Sequence, residues 1–155
     1  MDSFPQRLRK ELRDRLSIAG QTGLWIAPEQ AVGVGDAKGA YLLALHLANP
    51  LRVKLPNTAA AVLEPGWYLY AGSAWGGGGI AARVKRHFRG DKKAHWHIDR
   101  LTLKANDMAA LTLPGGNECD LVELLLRAPC FRFAFKGFGS SDCRRCKSHL
   151  LKFHE

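Results

Sequence analysis

The sequence predicts a mixed α+β domain, on three observations. Short apolar and aromatic runs bounded by turn signals recur at 40–47, 67–72 and 108–113, as buried strands do. From Ile80 the apolar residues Ile80, Val84 and Phe88 fall at i, i+4 and i+8, which is the inward stripe of a helix. The run LVELLL packs inward as a second helix, with Asn117 as its N-cap and Glu118 in its first turn.

In chain order, the charged segment up to Leu16 repeats Leu8, Leu12 and Leu16 every four residues, which predicts an amphipathic helix docked on the domain or on a partner. Residues 20–38 carry Gly20, Gly23, Pro28, Gly33 and Gly35 and read as an extended connector around a short GLWIA strand. The expected division is therefore 1–38, helix and connector, and 39–155, the compact domain. AYLLALHL is a buried strand ending at the Asn49-Pro50 turn, and RVKLP is its expected partner strand. A Pro/Asn/Ala-rich loop closed by Glu64-Pro65-Gly66 leads into WYLYAG, the third strand.

YLYAGSAWGGGGIAARVKRH follows: an aromatic strand, a glycine-rich turn and a basic helix. Glycines 76 to 79 permit close backbone approach and positive φ, and Arg83 and His87 share one stripe of the helix. KKAHWHIDRL reads equally as a strand or a helix start. Met108 to Leu113 is a strand ended by Pro114-Gly115-Gly116. After Pro129, FRFAF is the expected final strand, and GFGSSDCRRCKSHLLKF is expected as loop and terminal helical turn.

A chain of 155 residues with 46% hydrophobic and 24% charged residues buries a real core and needs no disulfide or metal to fold. No apolar run approaches the roughly 20 residues that span a bilayer, and the polar start lacks an apolar signal core. The expected location is the cytoplasm, with no membrane partner. The four cysteines are then reduced thiols, available for metal binding or packing. The 23 Lys plus Arg against 14 Asp plus Glu, net +9, attract polyanions, nucleic acid first.

Gly39-Ala40-Tyr41, Tyr70-Ala71-Gly72, an arginine after a short gap and a glutamate on a later helix resemble the GIY-YIG nuclease superfamily. The branch most similar is the small Uri-type endonuclease-like domain, also found fused to endonuclease III. Further matching strings are KKAHWHID, NEC, and FGSSDC with SHLLKF, so the resemblance runs from Gly39 to Phe153 in the family's order. Two departures are Ala40 in place of Ile and a longer gap between the two tyrosine motifs. The resemblance implies a GIY-YIG-like fold: a small mixed or antiparallel three-stranded central sheet flanked by helices, here with extra strands and the N-terminal helix. It implies hydrolysis of phosphodiesters in DNA, in repair or processing, with one Mg2+ or Mn2+. Tyr41 and Tyr70 match the motif tyrosines, Arg83 the helix arginine, His87 the histidine one turn later, and Glu118 the metal-binding glutamate.

The chemistry needs such groups. Phosphodiester hydrolysis requires an aimed nucleophile, charge stabilisation on phosphoryl oxygens and help for the departing oxygen. Glu118 suits a hard cation that keeps its waters, and Arg83 offers bidentate donors to the same phosphate. A tyrosine with pKa about 10 is a poor base at neutral pH. Tyr41 therefore orients the attacking water while Tyr70 or His87 handles protons, and the general base stays unassigned. Singly, each of these residues has an ordinary structural explanation; their joint occurrence in motif order makes the site. Lys85, Arg86, Arg89, Lys92, Lys93 and His95 extend positive charge beside it, as a surface tracking DNA phosphates would.

Cys143-x-x-Cys146-x-x-His149, with Cys119 beside Glu118, offers the soft ligands of a tetrahedral zinc site. A single CxxC is a weak signal, so zinc takes second place to buried thiols with His149 capping a last helix. Two functions compete with the nuclease: a nucleic-acid-binding module of the same fold without turnover, and a zinc-stabilised interaction domain.

Overall fold

A computed structural model describes residues 4–18, 20, 25–30, 33–140 and 143–155. The elements in order are α1 (Gln6–Ile18), β1 (Trp25–Ile26), β2 (Gly39–Leu47), β3 (Leu51–Val53), β4 (Ala61–Leu63), β5 (Gly66–Ala74), α2 (Gly79–Phe88), α3 (Asp99–Thr102), β6 (Asp107–Pro114), α4 (Glu118–Leu126), β7 (Phe131–Phe133) and β8 (Leu150–Phe153). Among the described residues, six strands form one antiparallel sheet in the order β1-β6-β2-β5-β8-β7, and β3 pairs β4 in a separate ribbon. The mixed α/β architecture with an N-terminal helix is the one expected.

The central strand β2 is buried almost throughout, because both faces of the sheet are covered. Side-chain alternation splits it. Ala40, Leu42 and Ala44 join a core with Leu8, Leu12 and Leu16 of α1 and Leu121, Val122 and Leu125 of α4. Tyr41, Leu43 and Leu45 join the opposite core, with Ile80 and Val84 of α2 and Leu101 of α3. The four-residue leucine repeat of α1 thus docks on the sheet itself, and Phe4 stacks edge-on against Trp25 and Trp67 at 5.4 and 4.6 Å.

Four local expectations are corrected. RVKLP does not pair β2: Leu51–Val53 pairs β4, because β2 already has β5 and β6 along its length. KKAHWHIDRL, open between strand and helix start, is not among them: irregular chain leads into a helix start at Asp99, the second of its two readings. FRFAF supplies β7 but not the last strand. LLKF, expected as a helical turn, is β8, drawn into extended form by the free edge of β5. His149 accordingly precedes a strand and caps no helix. The GLWIA strand survives as Trp25–Ile26 on β6, while Gly23 and Leu24 lie outside the described residues.

The β5 edge sets up the site. Strand β8 pairs β5 only from Tyr68 to Tyr70, and one further bond runs from Ala71 N to His149 O at 3.0 Å. Beyond that point β5 keeps β2 on one side but no strand on the other, among the described residues. No described helix is long and apolar enough to cross a membrane.

Because Leu12 is 2% exposed in the core shared with α4, Leu12→Ala is expected to lower unfolding stability by about 2–5 kcal/mol, measured by urea denaturation. A loss below about 0.5 kcal/mol, the scale of a surface change, would show that α1 is not part of the folded core.

Candidate active site

The register of β2 on β5 places Tyr41 opposite Gly72 and Leu43 opposite Tyr70. Residues two apart on a strand share a face, so the two tyrosines are diagonal neighbours, with ring centroids 6.4 Å apart. Gly72 is required for this. A Cβ there would lie 2.1 Å from the Tyr41 ring carbon that bears the hydroxyl, so the ring occupies the place of a side chain. The Tyr41 hydroxyl ends 2.6 Å from His87 Nε2 on α2.

The start of α2 is fixed by its turn. Gly79 has φ +63, and a Cβ would stand 2.4 Å from Ala37 O. Ile80 N donates to the same carbonyl at 2.9 Å, which anchors the helix to the chain leading into β2. Only Gly78 and Gly79 of the four glycines take positive φ. From this helix Arg83 reaches over Trp96, its guanidinium carbon 4.6 Å from the ring centroid. Trp96 is held by Asp99, whose Oδ2 accepts from the backbone N of His95 and Trp96 at 2.8 and 2.9 Å and from Arg86 at 2.7 Å.

Glu118 opens α4. The Asn117 side chain accepts from Cys119 N and Asp120 N, the expected N-cap, and leaves Glu118 half-buried in the first turn. Its carboxylate has no hydrogen bond or ion pair among the described residues. Tyr41, Tyr70, Arg83 and Glu118 line one open cavity of about 710 Å³. His87 does not line it. It is fully buried behind Tyr41 and meets the cavity through that hydroxyl.

Of the basic residues expected to track phosphate, His95 lines the cavity, and Lys85 and Lys93 are exposed. Arg86 is turned inward to Asp99, Lys92 caps the end of α2 through the carbonyls of Arg86 and His87, and Arg89 pairs with Asp91. The sequence reading missed Trp75, His97 and Arg144 of the lining. Trp75, 54% exposed directly before the glycine turn, carried a legible signal. The others are brought in by irregular chain.

Beside Glu118 the wall of the cavity is made by Cys143 and His149. These two, with Cys119 and Cys146, bring their ligand atoms within 4.8 Å of one another, so the group could hold a metal ion. All four cysteines are free.

A family model described as a domain of unknown function, DUF123, matches residues 40–155. The chain belongs to the DUF123 family. No curated protein and no solved structure matches it. Within this DUF123 chain the family match begins beside Gly39, so α1 and β1 precede it while contributing to the same core and sheet.

The electrostatics of the DUF123 site follow from burial. Burial pushes Tyr70 up to about 12 and Tyr41 well above the usual tyrosine value, against a downward pull from Arg83. His87 falls to about 3, first through burial and then through the charge of Lys92. At neutral pH both hydroxyls are therefore protonated and His87 is a neutral acceptor for Tyr41. Its Nδ1 is buried with no partner among the described residues.

Two outcomes are expected. The folded state resists protonating His87, so its contribution is full above about pH 6.5 and is lost as pH falls toward 3. Between pH 7 and 5 this amounts to on the order of 2 kcal/mol. Urea midpoints at the two pH values should show His87→Gln losing that much less than the native protein, and equal losses would refute the neutral histidine. Gly72→Ala should destabilise by about 1–3 kcal/mol, through displacement of the Tyr41 ring, by the same measurement.

Proposed function

We propose that this protein is a divalent-metal-dependent endonuclease that hydrolyses phosphodiester bonds in DNA, in a repair or processing role. The observation that carries the reading is the convergence of Tyr41, Tyr70, Arg83 and Glu118 on one cavity, with His87 bonded to Tyr41 behind it. These residues come from two strands and two helices, and while the tyrosines also pack against the core, Arg83 and Glu118 reach the cavity as polar groups that the core does not need. The resemblance to GIY-YIG nucleases supplies the reaction class.

Each residue has a role that its surroundings support. Glu118, half-buried and without an ion-pair partner among the described residues, fits a lightly held Mg2+ or Mn2+ that keeps water and borrows substrate oxygens. Such an ion, held by Glu118, would supply charge stabilisation for the phosphoryl and departing oxygens. Arg83, steadied over Trp96, binds a phosphate oxygen through its planar donors. Tyr70, kept protonated by burial, donates a hydrogen bond to phosphate. Tyr41, its hydroxyl fixed by donating to His87 Nε2 at 2.6 Å, orients the attacking water, whose proton leaves to solvent in the open cavity because burial disfavours both a tyrosinate and an imidazolium behind it. Trp75 at the mouth offers a stacking surface for an unpaired base, which favours substrates with single-stranded or branched character. The soft set Cys119, Cys143, Cys146 and His149 suits zinc rather than magnesium, so the two ions have separate places.

The test is labelled single-stranded, duplex and branched DNA and RNA incubated with Mg2+ or Mn2+. Glu118→Ala is expected to lower cleavage by at least about 100-fold, the scale of losing one charge-stabilising group, while binding persists. Trp75→Ala should weaken binding of branched or single-stranded DNA by roughly 5- to 100-fold and leave duplex binding nearly unchanged. Undiminished cleavage by Glu118→Ala refutes the metal assignment. Salt-sensitive binding with no cleavage of any substrate identifies a binding module instead.

A further inference from the structure

We propose that Cys119, Cys143, Cys146 and His149 form a closed zinc site that staples the segment between β7 and β8 onto the first turn of α4, and thereby positions Glu118. The last clause rests on the nuclease reading. The zinc site stands without it.

The donors come from separate parts of the chain. Cys119 is the second residue of α4, Cys143 and Cys146 flank a bend in the chain between β7 and β8, and His149 lies just ahead of β8. Cys119 Sγ lies 3.4 Å from Cys143 Sγ and 3.8 Å from His149 Nε2, and all four ligand atoms fall within 4.8 Å. Tetrahedral zinc with Zn–S bonds of about 2.3 Å holds its sulfurs roughly 3.8 Å apart, so little movement is needed. Cys146 N also points at Cys143 Sγ at 3.4 Å, a backbone donor of the kind that supports a metal-bound sulfur.

Apolar packing does not explain the set. It accounts for a buried thiol but not for an imidazole nitrogen aimed among three sulfurs. A Cys119–Cys143 disulfide would use two of the four donors and leave Cys146 and His149 unexplained. Soft thiolates and imidazole select zinc over the hard cation proposed at Glu118. Four protein ligands also close the coordination shell and leave no position for a reacting water, which makes the ion structural.

The segment needs a staple. It runs from β7 to β8 without a helix or strand among its described residues, and connections of that length are uncommon unless they serve a function. On its outer side Arg145 already grips α4, bonding Glu123 at 2.9 and 2.7 Å and Asp120 at 2.6 Å. Those pairs are exposed and hold weakly. The inner grip falls to the cysteines. Arg144, between Cys143 and Cys146, lines the same cavity as Glu118, so one ion organises two of its walls.

The experiment uses the full chain purified without chelator. About one zinc per chain is expected by elemental analysis. Replacement by Co2+ should give a thiolate-to-cobalt charge-transfer band and the intense visible bands of a tetrahedral site. Cys143→Ser and Cys146→Ser should lose the metal, whereas His149→Cys, which conserves a soft donor, should keep it. Absence of zinc together with a six-coordinate cobalt spectrum overturns the site, as does a Cys119–Cys143 disulfide in the purified protein. For the positioning role, Glu118→Ala should keep its zinc but lose cleavage. Zinc-stripped native protein should need at least about tenfold more Mg2+ for half-maximal cleavage and recover on adding zinc. Unchanged Mg2+ dependence after zinc removal refutes the positioning role. A zinc-loaded protein that cleaves nothing refutes the nuclease reading and the positioning clause but leaves the zinc site intact.

Discussion

The contact on which the site depends is Tyr41 lying over Gly72. It is a consequence of register: β2 and β5 pair so that the ring of one strand fills the space where the other has no side chain. A slip of one residue would send Tyr41 to the opposite face, into the core beneath α1 and α4, and bring Ala40 or Leu42 into the cavity. The hydrogen bond to His87 follows from the same placement, because α2 is seated on this face by Ile80 and Val84. A packing constraint and a chemical one are met by the same pair of residues.

The two faces of the sheet divide the work. On one, α1 and α4 bury an ordinary aliphatic core against β2, β5 and β6. On the other, the core is interrupted by polar groups held in fixed arrangements: Tyr41 with His87, and Asp99 with Arg86 and two backbone amides. Buried groups of this kind are costly unless satisfied. Among the described residues the remaining orphans are His87 Nδ1, Asp99 Oδ1 and Arg86 Nε, gathered where α2 meets α3. Unsatisfied buried groups of this kind are uncommon in a plain core, where nearly every polar atom finds a partner.

The charge excess is distributed less freely than composition implies. Arg86 and Lys92 are spent on internal contacts that hold the 92–98 segment and the end of α2, and Arg145 neutralises the acidic flank of α4. The guanidinium groups that line the cavity are those of Arg83 and Arg144.

Local pattern determined a good part of this protein. The apolar runs at 40–47 and 67–72 with their turn signals, the stripe Ile80, Val84, Phe88 and the Asn117 cap each depend on neighbours a few residues away, and each holds in the structure. The motif order was enough to nominate the four cavity residues and His87. Only the tertiary structure decided the rest, because it depends on pairing across long stretches of chain. LLKF has no strong preference of its own and becomes a strand because β5 presents free backbone groups there. His87 is removed from solvent by the elements packed over it, which makes it a neutral partner of Tyr41 and not a surface cation. Cys119 lies far in sequence from the CxxC pair, and its meeting with them and His149 is visible only once α4 and the last loop are folded together.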